Sequence, residues 1–530
     1  MSMPPQTPLQ PGTLRPNELP EWPLRGPFLG IDGEPYDDDA VFKDLLNVIL
    51  WYESIETRPG YTALTAMPTT VEAINGISDF FTSLGTRVQT IITPTRLLKW
   101  DGSGAGSWTV ITGALTGAVT DLFSATVVNH KLLFCQGINR VQLWDGVTAG
   151  FADASANAVP ARYLMELSKH LVVADTIEGG NRQHQRIRWT GAGDPTDWIS
   201  FSAGSNDLLN SFGPINGLAR IYQTGYAFQQ RGITQIIPTG RGDVPFNFVE
   251  LGSDGKGLIA PYSLATYGET IACYVGKDNI YMFNGTESIP IGDRPIAGSN
   301  SRVGARARIM AELLQANLSL VTGYISTSIN GNVFNAYWLN IPTGSTWVYN
   351  IDEGNWTRWQ YNRAPRTLNR FTRAGGIRII DLVGRILDQT WTFATLGSTN
   401  PLDGALVGFA DGTPGYVDFT TVSESDWSIL SAPRVMGDRR HSKTVKKFRL
   451  VYVDFGPVTF SITLTSDTGQ TQTKDVTVGT GTGRVMTKVI EFSIPGWSIT
   501  YEIAGDGGQS EVATFVELTP IYDVGGEIRG

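Results

Sequence analysis

Three short stretches of this chain close in the same way: LLKWDG at Leu97 to Gly102, VQLWDG at Val141 to Gly146 and IYMFNG at Ile280 to Gly285. Each runs through apolar residues to an aromatic, then Asp or Asn, then Gly. Asp-Gly and Asn-Gly give a chain the positive φ that a sharp turn needs. Trp100-Asp101-Gly102, Trp144-Asp145-Gly146 and Phe283-Asn284-Gly285 therefore read as structural turn motifs that punctuate hairpins. The context supports this, because Val127 to Gly146 and Thr266 to Gly285 share one grammar: apolar strand, polar turn, second apolar strand, motif. Strands joined that closely are antiparallel, since a parallel crossover takes about a dozen residues or more.

The spacing sets the architecture. Trp100 and Trp144 lie 44 residues apart, close to the ~40–50 residues of one four-stranded propeller blade, and Phe283 follows after roughly three further blade lengths. Gly225 to Gly240, Asn332 to Trp356 and Ala405 to Phe419 repeat the pattern loosely. The expectation is an all-β chain: a β-propeller of roughly six to eight blades over residues 36–430, with a helical insertion near 301–319. There Ile309, Leu313 and Ala316 share a helical face. Asp37 to Tyr52 reads as a short helix or a strand entry, its three aspartates as a solvated or capping cluster. Residues 1–35, rich in proline, read as an extended arm. Beyond about residue 430 long alternating strands take over: in VTFSITLTSD, Val458, Phe460, Ile462 and Leu464 fall on one face and Thr459, Ser461, Thr463 and Thr465 on the other. Residues 431–530 are thus an appended β-sandwich.

A net charge of -9 over 530 residues argues against a surface that grips nucleic acid throughout. Two basic stretches stand out: Arg363, Arg366, Arg370, Arg373 and Arg378, and then Arg434, Arg439, Arg440, Lys443, Lys446, Lys447 and Arg449. Both read as a solvated face or an interface with an acidic neighbouring subunit, with contact to DNA or another partner of a cationic patch as the alternative; Arg434, Arg439, Arg440, Lys443, Lys446 and Lys447 are the candidate interface patch. Cys135 and Cys273 sit in strand-like runs as buried thiols, and the four histidines are scattered, so neither a disulfide nor a metal site is expected. No apolar run approaches the ~20 residues of a membrane span. The first residues lack the basic start and apolar stretch of a secretory signal.

Catalytic patterns are scarce. No G-x-S-x-G elbow occurs, and GSDGKG at Gly252 to Gly257 lacks the phosphate-loop spacing. RGD at Arg241 to Asp243 reads as a connection between strands. A glycosidase would need a carboxylate pair, which 50 acidic residues cannot single out. The chain is expected not to be an enzyme and to need no cofactor.

The order of segments resembles the tail nozzle, or tail hub (stabilisation), proteins of short-tailed bacteriophages. The likeness starts at Arg58-Pro59-Gly60 in IETRPGYTAL. It runs through RIRWTGAGDPTDW (Arg186 to Trp198) and Phe246 to Gly285, and ends at SKTVKKFRLVYVDF (Ser442 to Phe455). The proline-rich arm and the 301–319 insertion depart from the pattern. The resemblance implies a virion protein, assembled in the host cytoplasm: a homo-oligomer, six copies in a ring beneath a head-to-tail adaptor protein. Tail fibre or tailspike proteins would be neighbours, and Arg58-Pro59-Gly60 would open the propeller. The ring would retain packaged double-stranded DNA and then pass it. An acidic conduit suits that role, since a basic lining would hold phosphate through counterion release. A receptor- or glycan-binding propeller of a fibre or surface protein is the alternative.

Overall fold

The computed structural model describes residues 24–25, 30–31, 41–51, 53–64, 67, 72–101, 107–252, 255–295, 302–329, 332–342, 345–373, 402–422, 424–435, 441–509 and 513–527. Most of the expected arm, Gly102, and Arg439 and Arg440 of the basic patch lie outside them. The chain forms two compact units, Pro59–Glu424 and a second made of Met1–Arg58 with Ser425–Gly530.

The larger unit is a propeller. Its short β-hairpins follow from turn chemistry: Asn129 and His130 (φ 48° and 61°), Ser168 and Lys169 (51° and 66°), and Gly179 and Gly180 (59° and 81°) each place two consecutive residues at positive φ. That geometry matches the right-handed twist of the strands it joins. Among the described residues, seven four-stranded antiparallel meanders result. Their inner strands are Gly76–Phe81, Ser124–Val128, Tyr163–Leu167, Ile215–Ile221, Ala265–Tyr267, Thr322–Ile329 and Pro365–Arg373. Each inner strand touches the next, and Pro365–Arg373 touches Gly76–Phe81, so the ring is closed. The seventh blade takes its outer strand from the other end of the unit: Pro59–Ala63 pairs with Pro414–Val422, Tyr61 opposite Val417. Blade faces meet through apolar layers, such as Phe80, Val88 and Leu97 of blade 1 against Leu132, Phe134 and Trp144 of blade 2. The blade count, left open between six and eight by the sequence, is seven.

The expected insertion is the helix Arg306–Gln315, between blades 5 and 6. Ile309 and Leu313 are its buried residues, and it docks on blade 6, where Trp347 Nε1 donates to Glu312 (3.1 Å) and the Arg308 guanidinium lies 5.6 Å from the Trp347 ring centre.

The second unit is a two-sheet sandwich. One sheet runs in the order Val48–Leu50, Ile55–Thr57, Thr514–Glu527, His441–Val453, Val485–Gly496; the other, Val41–Leu46, Trp427–Ser431, Ile499–Gly505, Val458–Ser466, Thr471–Val478. Phe448 meets Tyr501 and Phe460 meets Phe515 across the two sheets, with ring centres 5.2 and 5.4 Å apart. Val458, Phe460, Ile462 and Leu464 point inward as their alternation requires. The domain division expected at residues 36 and 430 moves to 59 and 424, because Val41–Leu46 and Ile55–Thr57 pair with Trp427–Ser431 and Thr514–Phe515. Residues near a chain's start show only their local pattern; that they complete a sheet formed some 400 residues later is a long-range fact.

A buried carboxylate organises one loop of the sandwich. Asp454 accepts from the backbone N–H groups of Thr480 (2.6 Å), Gly481 (2.9 Å) and Thr482 (3.2 Å) and from both threonine hydroxyls. Desolvation opposes its ionisation, but these donors outweigh it and hold the carboxyl well below the usual carboxylate range. A depressed folded-state pKa stabilises above the unfolded value of about 3.9 and is lost as pH falls below it. Asp454→Asn should therefore lower the melting temperature of this unit at neutral pH, the gap to the parent chain closing between about pH 5 and pH 2. Calorimetric scans across that range check it; a gap independent of pH would contradict the assignment.

Candidate functional site

The recurring motif falls at one structural position, the turn between the third and fourth strands of a blade. Asp145 Oδ1 accepts from Val147 N (2.9 Å), Thr148 N (2.8 Å) and Thr148 Oγ1 (2.8 Å); Asn284 Oδ1 accepts from Thr286 N (3.0 Å), Thr286 Oγ1 (2.8 Å) and Glu287 N (3.0 Å). Asp101 likewise takes Ser107 N (2.8 Å). The turns at Asp145 and Asn284 are Asx turns, in which the side chain substitutes for a backbone acceptor, whereas Asp101 reaches six residues on. Gly146 and Gly285 hold φ of 80° and 98°, and a Cβ on Gly146 would also lie 2.7 Å from Thr82 Cγ2 of blade 1. The aromatics reach the preceding blade: Trp144 meets Phe80 edge-on at 6.0 Å, Phe283 meets Tyr226 at 5.0 Å, and Trp100 meets Phe371 of blade 7 at 5.8 Å. Asn350 of blade 6 accepts from Asp352 N and Glu353 N in the same way.

Among the described residues, the basic side chains do not form one surface. Arg434 and Lys443 are 2% and 1% exposed, inside the sandwich, whereas Lys446 and Lys447 are exposed. The patch is therefore divided, because strand alternation sends neighbouring charges to different environments. Arg58 is wholly buried in the sandwich unit, its Nε donating to Asn47 Oδ1 (3.0 Å), while Pro59 and Gly60 begin the strand that closes the propeller. Arg363 pairs with Asp411, and Arg366 Nε donates to Asn75 Oδ1 (2.9 Å). Arg241 and Asp243 bind each other at the tip of the hairpin, so the RGD stretch is occupied by its own ion pair. Gly257 of the GSDGKG stretch packs against the backbone of Gln230 and Arg231, where a Cβ would lie 2.4 Å away.

A concave feature lies on the propeller axis. A cavity of about 230 Å³ takes lining from all seven blades, among them Asn75, Phe123, Tyr163, Leu218, Tyr262 and Asn369. The Tyr262 hydroxyl donates to Leu122 O (2.9 Å), a residue 140 positions away, and its ring lies 6.1 Å from that of Tyr163. Asn75, 1% exposed, donates to Val119 O (3.1 Å) and Asp121 O (2.9 Å) while accepting from Arg366, which ties blade 7 to the connection between blades 1 and 2. Behind Tyr163 stands Arg162, whose Nη1 lies 3.5 Å from Asp175 Oδ2; Arg182 Nη1 (3.2 Å) and His184 Nδ1 (3.0 Å) reach the same carboxylate. Asp175 is 2% exposed and sits at φ 56° in a bulged strand, a costly conformation for a non-glycine residue that turns its carboxylate to these three side chains. A second chamber of about 400 Å³ follows along the axis, where Arg220 bridges Glu166 of blade 3 and Glu269 of blade 5. Cys135 and Cys273 are buried free thiols, and burial pushes both up, away from thiolate chemistry. Among the described residues no cluster of three metal-ligating side chains occurs. Of the axial residues only Arg366 and Tyr262 lay in stretches the sequence marks; Asn75 and Tyr262 matter through partners on other blades, and Arg162 and Asp175 through a bulge that turns them toward each other within blade 3.

These features define a class: a seven-bladed β-propeller, closed by a strand from its own N-terminal edge, in a chain that also folds a β-sandwich. Solved structures that the chain is similar to include BBS1N in complex with ARL6DN, soaked with lead, at 8% identity and TM-score 0.40, covering 68% of this chain and 98% of that one. The same complex soaked with mercury gives 9% and 0.38, covering 68% and 97%, and YCF48 bound to D1 peptide gives 9% and 0.37, covering 68% and 98%. No protein-family model matches the chain, and no curated protein matches it. The class therefore rests on the strand order and the closed ring of inner strands.

Proposed function

We propose that this chain is a structural protein of a bacteriophage tail, a nozzle or hub subunit that assembles with copies of itself into a ring, retains packaged DNA and lets it leave through the space enclosed by the copies. The observation that carries the reading is the order of segments from Arg58-Pro59-Gly60 to Ser442–Phe455, set on a propeller whose recurring polar residues are consumed by its own turns. The propeller axis offers no passage for a duplex whose major groove alone is about 12 Å wide, because its two chambers hold only about 230 and 400 Å³. A conduit must then lie between copies. A net charge of -9 per copy favours sliding over trapping. The ring would sit under a head-to-tail adaptor and beside tail fibre or tailspike proteins.

Electron microscopy of the purified chain and of particles carrying it tests this. The expected result is a closed ring of copies on the tail axis and no retention of duplex DNA by the isolated ring at physiological salt. A chain that stays monomeric at assembly concentrations and is missing from particles sinks the proposal.

A further inference from the structure

Asn-Gly pairs occur at Asn75-Gly76, Asn216-Gly217, Asn284-Gly285 and Asn330-Gly331, the last outside the described residues. In such a pair the glycine has no side chain to hold its backbone nitrogen away from the asparagine amide carbon, and its backbone turns freely toward it. An attack there involves the nitrogen that adds, the oxygen that takes up charge and the amide nitrogen that leaves. The described pairs differ at those atoms.

Asn75 and Asn216 have the leaving nitrogen locked. Asn75, 1% exposed, donates Nδ2 to the carbonyls of Val119 (3.1 Å) and Asp121 (2.9 Å), and Asn216 Nδ2 donates to Leu258 O (2.7 Å). Gly76 and Gly217 lie in strand ladders, opposite Ile92 and Phe228. Asn284 is the reverse case. It is half-buried, and among the described residues neither its Nδ2 nor the backbone N–H of Gly285 makes a hydrogen bond. Its Oδ1 accepts from Thr286 N (3.0 Å), Thr286 Oγ1 (2.8 Å) and Glu287 N (3.0 Å). Donors so placed draw electrons from the amide carbon and stabilise the negative charge that forms on its oxygen during attack. The product also fits: Asp145 holds the same turn in blade 2 with a carboxylate, which accepts from Val147 N, Thr148 N and Thr148 Oγ1.

We propose that Asn284-Gly285 is a site of spontaneous deamidation by water, the one described Asn-Gly pair that the folded chain leaves open to it, and that blade 5 keeps its turn in the aspartyl form. Gly285 N loses its proton to water and attacks Asn284 Cγ. The Cγ–Nδ2 bond breaks, the nitrogen takes a proton from solvent and leaves as ammonia, and a succinimide remains. Water then opens that ring. Breaking the bond from Gly285 N to Cγ gives aspartate; breaking its bond to the main-chain carbonyl carbon of residue 284 gives isoaspartate, with the backbone routed through the side chain. In sum, amide and water become carboxylate and ammonium. The isoaspartyl form lengthens the backbone and draws Gly285 O away from the Tyr226 hydroxyl of blade 4, which donates to it at 3.0 Å. This site is independent of the proposed virion role.

The test incubates the full chain at mildly alkaline pH, folded and in urea, until the urea sample has lost half of its Asn284 amide. Both samples are then mapped by mass spectrometry, with isoaspartyl methyltransferase labelling to read the rearranged product. In the folded chain Asn284 should convert at least about tenfold faster than Asn75 or Asn216, the factor for first breaking one buried hydrogen bond. In urea all three should agree within about twofold, since each precedes glycine and none keeps its native partners. Asn284→Asp should melt within about 2 °C of the parent. Equal rates at the three sites in the folded chain, an Asn284 amide that survives folding intact, or an Asn284→Asp variant melting more than about 5 °C lower overturns the proposal.

Discussion

Replacing Trp144 by alanine is expected to destabilise the propeller by about 3–5 kcal/mol, the range for truncating a large buried aromatic. The ring is 1% exposed and belongs to the layer that joins blades 1 and 2, with Phe80, Val88, Ile92 and Leu97 on one side and Leu132, Phe134 and Phe151 on the other. Three further losses follow from the same change. The edge-on contact with Phe80 disappears, Thr148 O loses the indole N–H (2.9 Å), and the Lys99 ammonium loses the ring it stands over at 5.9 Å. A closed ring cannot relax one blade interface without straining the others, so little of the cavity should collapse. Trp144→Phe keeps most of the apolar volume and loses only the indole N–H contact, and it should cost distinctly less. Urea unfolding of both variants measures the difference; a loss below about 1 kcal/mol for Trp144→Ala would mean that the motif's aromatic is decoration on the turn and not the seam between blades.

The contrast between what the sequence reveals and what it hides follows from the range of the interactions. The turn at Asp145-Gly146 is legible because its causes are local: a side-chain acceptor, two N–H groups two and three residues on, and a glycine at φ 80°. The alternation of Val458 to Thr465 is legible for the same reason, since period two is written into consecutive residues. The helix at Arg306–Gln315 is likewise announced by Ile309 and Leu313 on one face. The boundary of the propeller is not legible, because the strand Val41–Leu46 looks like any other until Trp427–Ser431 is placed beside it. The axial cavity is hidden most completely. Asn75 binds Asp121 and Arg366, and Tyr262 binds Leu122, so none of these residues has its reason within a window of the chain. The basic stretch at Arg434 to Arg449 misleads for a related cause. Burial of Arg434 and Lys443 depends on sheets contributed from elsewhere, and composition cannot say which charges a strand will turn inward.

Arg58 carries the second large expected effect. Its place in the sequence marks the opening of the propeller, yet its side chain is wholly buried in the sandwich unit and the propeller proper begins one residue later. What holds it is Asn47, a left-handed residue (φ 55°) whose carbonyl accepts Arg58 N (2.9 Å) and whose Oδ1 accepts Arg58 Nε (3.0 Å), while Asn47 Nδ2 donates to Asp426 O (2.5 Å). The guanidinium therefore secures the turn between Val48–Leu50 and the strand before it, and through Asp426 reaches the chain's return from the propeller. Removing Arg58 leaves buried acceptors that have lost both water and their donor, at about 1–3 kcal/mol each, and empties the space of its packed stem, for a total of about 3–5 kcal/mol. Arg58→Ala should fall in that range. Arg58→Lys keeps the charge without the planar fork, and Arg58→Met keeps volume without donors, so both should lie between alanine and the parent. The decisive measurement is a double-mutant cycle between Arg58→Met and Asn47→Gly, the glycine tolerating the left-handed backbone. A coupling of about 1–3 kcal/mol is expected for neighbours in one network, whereas additivity within about 0.5 kcal/mol would show that Arg58 is held by its remaining contacts and that Asn47 merely turns the chain.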